Sequence, residues 1–153
     1  MENTIFKWTD SHNEDFRRFY LITEQYYNSL VGGSGNRKGF VPYNLSDSIS
    51  DVLIAYINGS AVGCAGLKKY SAADAEIKRV WVDPQWRGNH IASVMMDMAE
   101  EKAFRQGFDR TILQTRNIMT AAVSLYVNRG YHLISNYPPY DKLEGAVCYA
   151  KEL

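Results

Sequence analysis

The residues best suited to chemistry lie in one stretch, Val80-Trp81-Val82-Asp83-Pro84-Gln85-Trp86-Arg87-Gly88-Asn89-His90-Ile91-Ala92. An apolar, β-rich run stops at Asp83-Pro84, and an amphipathic helical pattern begins at about Asn89. The start of a helix exposes N–H groups that have no partner within the helix and carries a partial positive charge. Gly88 lets the backbone approach a ligand closely, and Arg87 supplies a guanidinium suited to phosphate. Strand, Arg-Gly turn and helix start in this order read as a cradle for a diphosphate. The same pattern also occurs as an ordinary loop with a surface arginine, so the rest of the chain has to decide between the two.

Other reactive side chains are scattered. Cys64 and Cys148 form no CxxC pair and have no histidine near them in sequence. They read as reduced thiols in β-rich runs, with a strand–strand disulfide as the alternative. No metal site is expected. His12 and His132 have no partner in sequence.

The elements that must position the diphosphate cradle are read from periodicity and turn signals. Thr4–Lys7 reads as a short strand, and Asp10-Ser11 caps a helix from about Asn13 to Leu30. Four glycines between Gly32 and Gly39 end that helix, and residues 46–50 can add a helical turn. Asn58-Gly59 joins strands over Asp51–Ile57 and Ala61–Tyr70 as a hairpin. A strand over Ala75–Val82 precedes a helix from about Asn89 to Gln106, whose apolar stripe is Ile91, Met95, Met98, Ala99 and Ala103. Next come a strand over Asp109–Thr115, a helix over Thr120–Arg129, and strands over Tyr131–Ser135 and Val147–Lys151. Such an order predicts a mixed α/β architecture with one open sheet.

A chain of 153 residues suits a single domain. It is 46% hydrophobic and 22% charged, which argues against disorder and against a coiled coil. Lys+Arg and Asp+Glu both number 17, so no basic surplus supports nucleic-acid binding. No apolar run is long enough for a membrane span, and the acidic N-terminal stretch has no signal-peptide pattern. The expected location is the cytoplasm, in keeping with two unpaired thiols.

Three groups of residues together resemble the GNAT superfamily of N-acetyltransferases. Gln85, Gly88 and His90 occupy the positions of its acetyl-CoA-binding pattern, Gln/Arg-x-x-Gly-x-Gly/Ala. Asn117, Ala121, Leu125, Tyr126, Gly130 and Tyr131 match its downstream segment. Gly63–Leu67 and Ala75–Arg79 resemble its third and fourth strands. His90 departs from the pattern, and a residue at a helix start is expected to hold ordinary helical backbone angles.

The resemblance implies a GNAT-like single domain, a mixed and mostly antiparallel sheet of about seven strands flanked by about four helices. It implies acetyl-CoA as cofactor and transfer of an acetyl group to a primary amine of a small molecule, by direct attack in a ternary complex. The residues it assigns to the cofactor are Val80, Trp81, Val82, Arg87, Gly88, Asn89, His90, Ile91, Ala92, Asn117, Ala122 and Tyr126. Glu76 becomes the candidate base and Tyr126 the candidate acid. Tyr26, Tyr27, Arg37, Tyr137 and Tyr140 become candidates for the acceptor side. A homodimer is a family-level expectation. The alternatives are a peptide or protein amine acceptor, a non-catalytic acyl-CoA sensor, and a nucleotide-binding protein. The last lacks a GxGxxG or Walker A pattern.

Overall fold

Asn58 and Gly59 both take left-handed backbone, with φ of 51° and 82°, and turn one strand directly onto the next. The computed structural model in which this hairpin is seen describes residues 3–31 and 48–153. Its strands are β1 (Thr4–Thr9), β2 (Asp51–Ile57), β3 (Ser60–Lys69), β4 (Asp74–Val82), β5 (Arg110–Arg116), β6 (His132–Ile134) and β7 (Ala146–Glu152). Its α-helices are α1 (Glu14–Val31), α2 (Ile91–Arg105) and α3 (Thr120–Asn128). A short 3-10 turn covers Pro84–Trp86.

All seven strands form one sheet in the order β1-β2-β3-β4-β5-β7-β6. Every neighbouring pair is antiparallel except β4 and β5. Parallel neighbours need a long crossover, and the chain from β4 to β5 supplies one through α2.

Alternation along the strands sends side chains to opposite faces. Val52 and Ile54 of β2, with Cys64 and Trp81, pack against Phe16 and Phe19 of α1. Leu53 and Ala55 pack instead with Met95 of α2. A third cluster joins Ala75, Ile77 and Leu113 of the sheet to Met96, Ala99 and Ala103 of α2 and Tyr126 of α3. Phe16 and Phe19 are fully buried, and each contributes about 1.5–3 kcal/mol by leaving water. A buried carboxylate, Glu100, ties α2 to the far side of the sheet. It accepts hydrogen bonds from Tyr131 Oη at 3.0 Å, Lys151 Nζ at 2.9 Å and Arg129 Nη2 at 3.2 Å.

The strands fall where the sequence pattern places them, within one or two residues. Two details differ. Helix α2 starts at Ile91, because His90 before it has left-handed backbone. Among the described residues there are three α-helices rather than about four, and the turn expected over residues 46–50 falls partly outside them. No described helix is long and apolar enough to cross a membrane.

Candidate active site

β4 and β5 begin side by side and then part. They pair at Asp74↔Arg110, Ala75↔Thr111 and Glu76↔Ile112, and no residue of β4 beyond Glu76 pairs with β5. Strand β5 continues with β7 as far as Arg116↔Ala146. On this edge, among the described residues, the second half of β4 therefore carries backbone N–H and C=O groups without a strand beside them. Its other edge is irregular as well. The β3–β4 register shifts between Cys64↔Trp81 and Gly66↔Lys78, which leaves a bulge at Arg79-Val80. Arg79 sits at φ 58° in this bulge, a conformation that costs a non-glycine residue about 1–2 kcal/mol.

A cavity of about 360 Å³ opens at the end of this strand. Val80, Trp81 and Val82 of β4 form one wall. Arg87, Gly88, His90, Ile91 and Ala92 bring in the turn and the N-terminus of α2. Ala122, Leu125 and Tyr126 of α3 form another side, and Tyr26 and Tyr27 of α1 a further one. Two of the expected cofactor residues, Asn89 and Asn117, are not on its walls. Asn89 Nδ2 donates to the Trp86 carbonyl at 3.0 Å. The Asn117 backbone N–H donates to the Gly145 carbonyl at 2.9 Å, and the residue is exposed.

Arg87 is held by its neighbours on β4. Its Nε donates to the Val82 carbonyl at 2.8 Å, and its guanidinium lies 4.7 Å from the centre of the Trp81 ring. Trp81 meets Tyr26 edge-on, with ring centres 5.3 Å apart, and its indole N–H donates to Asp83 Oδ1 at 3.1 Å. Gly88 has φ 83° and no atom within 4 Å of where a Cβ would lie. Glycine is therefore needed here for its backbone angle rather than for room. His90 corrects the sequence expectation. It holds left-handed angles, φ 63° and ψ 16°, not helical ones. Its carbonyl still accepts the first bond of the helix, from Val94 N at 3.0 Å.

Tyr126 is 8% exposed and lies on the cavity wall. Burial, with Tyr27 adding to it, pushes its phenol above the usual range. The hydroxyl thus keeps its proton at neutral pH.

Glu76 lies elsewhere. It is 3% exposed, and it is not on the cavity wall. Tyr137 Oη donates to its Oε2 at 2.7 Å, and Lys78 Nζ stands 3.9 Å from its Oε1. Lys78 Nζ also donates to Tyr140 Oη at 2.9 Å. Burial lowers the Lys78 ammonium to about 8. The Tyr137 ring packs edge-on against Tyr70 and Tyr140. The expected acceptor-side residues are thus divided. Tyr26 and Tyr27 share the cavity with the cofactor candidates, while Tyr137 and Tyr140 hold Glu76 and Lys78. Arg37 lies outside the described residues.

Lys78 and Arg79 are functional candidates that sequence reasoning alone misses. The available signal is their position, two adjacent cations inside the strand Asp74–Val82. Among the described residues no group of His, Cys, Asp and Glu could hold a metal ion.

The family model described as acetyltransferase (GNAT) family matches residues 5–131. The chain belongs to this family. Solved GNAT structures share its fold over nearly the whole chain. The acetyltransferase of the GNAT family from Elizabethkingia anophelis, with acetyl-CoA bound, is 17% identical and superposes with a TM-score of 0.71, covering 100% of both chains. A candidate acyl-CoA N-acyltransferase from Klebsiella pneumoniae subsp. pneumoniae MGH 78578 is 22% identical with a TM-score of 0.81, covering 98% of this chain and 97% of that one. In sequence, an IAA acetyltransferase of Azospirillum brasilense is 27% identical over 89 residues, and the match spans 58% of each chain.

Proposed function

We propose that this GNAT-family chain binds acetyl-CoA and transfers its acetyl group to a primary amine of a small molecule in the cytoplasm. One observation carries the reading. The second half of β4, whose β5-facing edge is open, and the N-terminus of α2, with Arg87 beside it, open into one cavity. A pantetheine arm carries amides that can pair with a strand edge, and a diphosphate suits a helix start. Both parts of the site match the two polar parts of coenzyme A. The acetyl-CoA-bound relative from Elizabethkingia anophelis supports this cofactor, and the IAA acetyltransferase from Azospirillum brasilense supports a small acceptor.

Each protein group then has a defined task. Gly88–Ala92 and Arg87 hold the diphosphate. A backbone N–H near Trp81 and Val82 polarises the carbonyl under attack. Glu76, which lies off the cavity wall, takes the proton of the amine through water, and Tyr126 supplies a proton to the departing thiolate. Calorimetry with acetyl-CoA and CoA tests the cofactor, and no heat at millimolar ligand overturns it. Thiol release across a panel of amines and peptides then identifies the acceptor class. Release with peptides alone overturns the small-molecule part.

A further inference from the structure

We infer that Arg79 is a positioning residue for acyl transfer, because its guanidinium, gripped by α1, holds the β4 bulge in the shape that presents the Val80–Val82 backbone to the acyl group. The inference rests on the proposed reading that this backbone polarises the thioester.

A charged, β-branch-free residue gains nothing intrinsic from φ 58°, so the conformation must be imposed by its surroundings. Arg79 has them on every side. Its side chain is 3% exposed. Nη1 donates to Thr23 Oγ1 at 3.2 Å, and Nη2 pairs with Glu24 Oε1. The guanidinium stacks 4.4 Å from the centre of the Tyr20 ring and lies 5.8 Å from that of Tyr27. These four residues all belong to α1. On the opposite side, Cys64 Sγ donates to the Arg79 carbonyl at 3.3 Å. The peptide is therefore clamped at both ends, by a helix through its side chain and by β3 through its carbonyl.

The clamp decides which way the next three residues face. Without the bulge, Val80 rather than Trp81 would stand opposite Cys64. Val80, Trp81 and Val82 would then exchange faces. With it, Trp81 reaches the α1 side and Val82 the α2 side, and their backbone stands on the open edge of β4. The helix that clamps Arg79 also supplies Tyr26 and Tyr27 to the cavity. One element thus walls the cavity and fixes the carbonyl-binding backbone.

Isotope-edited infrared spectroscopy of acetyl-CoA labelled at the thioester carbonyl reads the contact directly. The arms are the unaltered protein, Arg79→Gly, Thr23→Val and Glu24→Gln, each with affinities measured for acetyl-CoA and CoA. Glycine accepts a positive φ, so Arg79→Gly removes the clamp without adding strain. The two α1 variants keep the arginine and guard against a glycine variant that fails to fold. The bound carbonyl of the unaltered protein is expected at lower frequency than free ligand. In Arg79→Gly and Glu24→Gln it moves back toward the free value. The preference for acetyl-CoA over CoA falls about three- to tenfold, the worth of one hydrogen bond. A carbonyl frequency that all three variants leave unchanged overturns the role of Arg79. An unaltered protein that binds CoA and acetyl-CoA without any carbonyl shift overturns polarisation by β4, and this inference with it. Absence of CoA binding overturns the proposed function itself.

Discussion

Tyr126 combines three properties that a proton donor to a thiolate needs. It lies on the cavity wall, its ring is almost wholly buried, and its phenol stays protonated. Tyr126→Phe keeps the ring and its packing. Turnover is expected to fall by about 10²-fold with CoA affinity nearly unchanged, measured by thiol release and calorimetry. Turnover at the original rate would remove Tyr126 from the mechanism. His90 makes a separate prediction. Its left-handed backbone is a local cost, so His90→Gly is expected to raise stability by about 0.5–1 kcal/mol in urea unfolding. At this scale the sequence is readable where function depends on neighbours along the chain, as with Arg87, Gly88 and Tyr126. It is not readable where the partner is remote. Tyr137 reaches Glu76 across 61 positions, and nothing in either local pattern announces that contact. Nor does the residue type of His90 disclose a positive φ.

Element boundaries are legible because each strand and helix carries its own punctuation. Asn58-Gly59, Asp83-Pro84 and Gly107 stop their elements by local backbone chemistry. The bulge in β4 has no such marker. Ile77-Lys78-Arg79-Val80-Trp81 gives two adjacent cations and then apolar residues, which fits more than one alternation. What settles it is tertiary, namely the grip of α1 and the close approach of β3. A Cβ on Gly63 would lie 2.7 Å from the Trp81 carbonyl oxygen. Gly63→Ala must push β4 away or distort it, and is expected to cost about 1–3 kcal/mol. It should also weaken acetyl-CoA binding, because the displaced segment is the cavity wall. Chemical unfolding and calorimetry check the two effects, and a fully stable variant with unaltered affinity would show that β4 can yield.

Across the whole molecule, buried ionisable groups set the pH range of stability. Burial pushes the Cys64 thiol from its ordinary 9.0 to about 12. The phenols of Tyr126, Tyr131, Tyr137 and Tyr140 are likewise raised above 10.0, first by burial. These groups keep protons in the folded state that the unfolded chain releases, so stability falls as pH rises past 9 to 10. Lys78 acts in the opposite sense. Its ammonium is lowered from 10.5 to about 8, so the unfolded chain binds more protons between those values and stability rises across them. The urea midpoint is expected to rise slightly above pH 8 and then to decline above pH 9 to 10. Cys64→Ala should delay the start of that decline, and a midpoint flat to pH 11 would contradict it.

The parting of β4 from β5 gives the middle of the sheet a property that normally belongs to its rim. Beyond Glu76, a strand fourth in a row of seven offers open hydrogen-bonding groups, the usual template for unwanted association between molecules. Here the template is recessed rather than masked by charge. The apex is closed by three residue pairs, and α2, α3 and Tyr26 and Tyr27 of α1 line the opening. A foreign strand, with side chains on both faces, would have to clear those walls to pair. A thin, flexible chain bearing amides but no side chains would not. Access of a second copy's strand and access of a slender ligand therefore depend on one quantity, how far the two strands diverge.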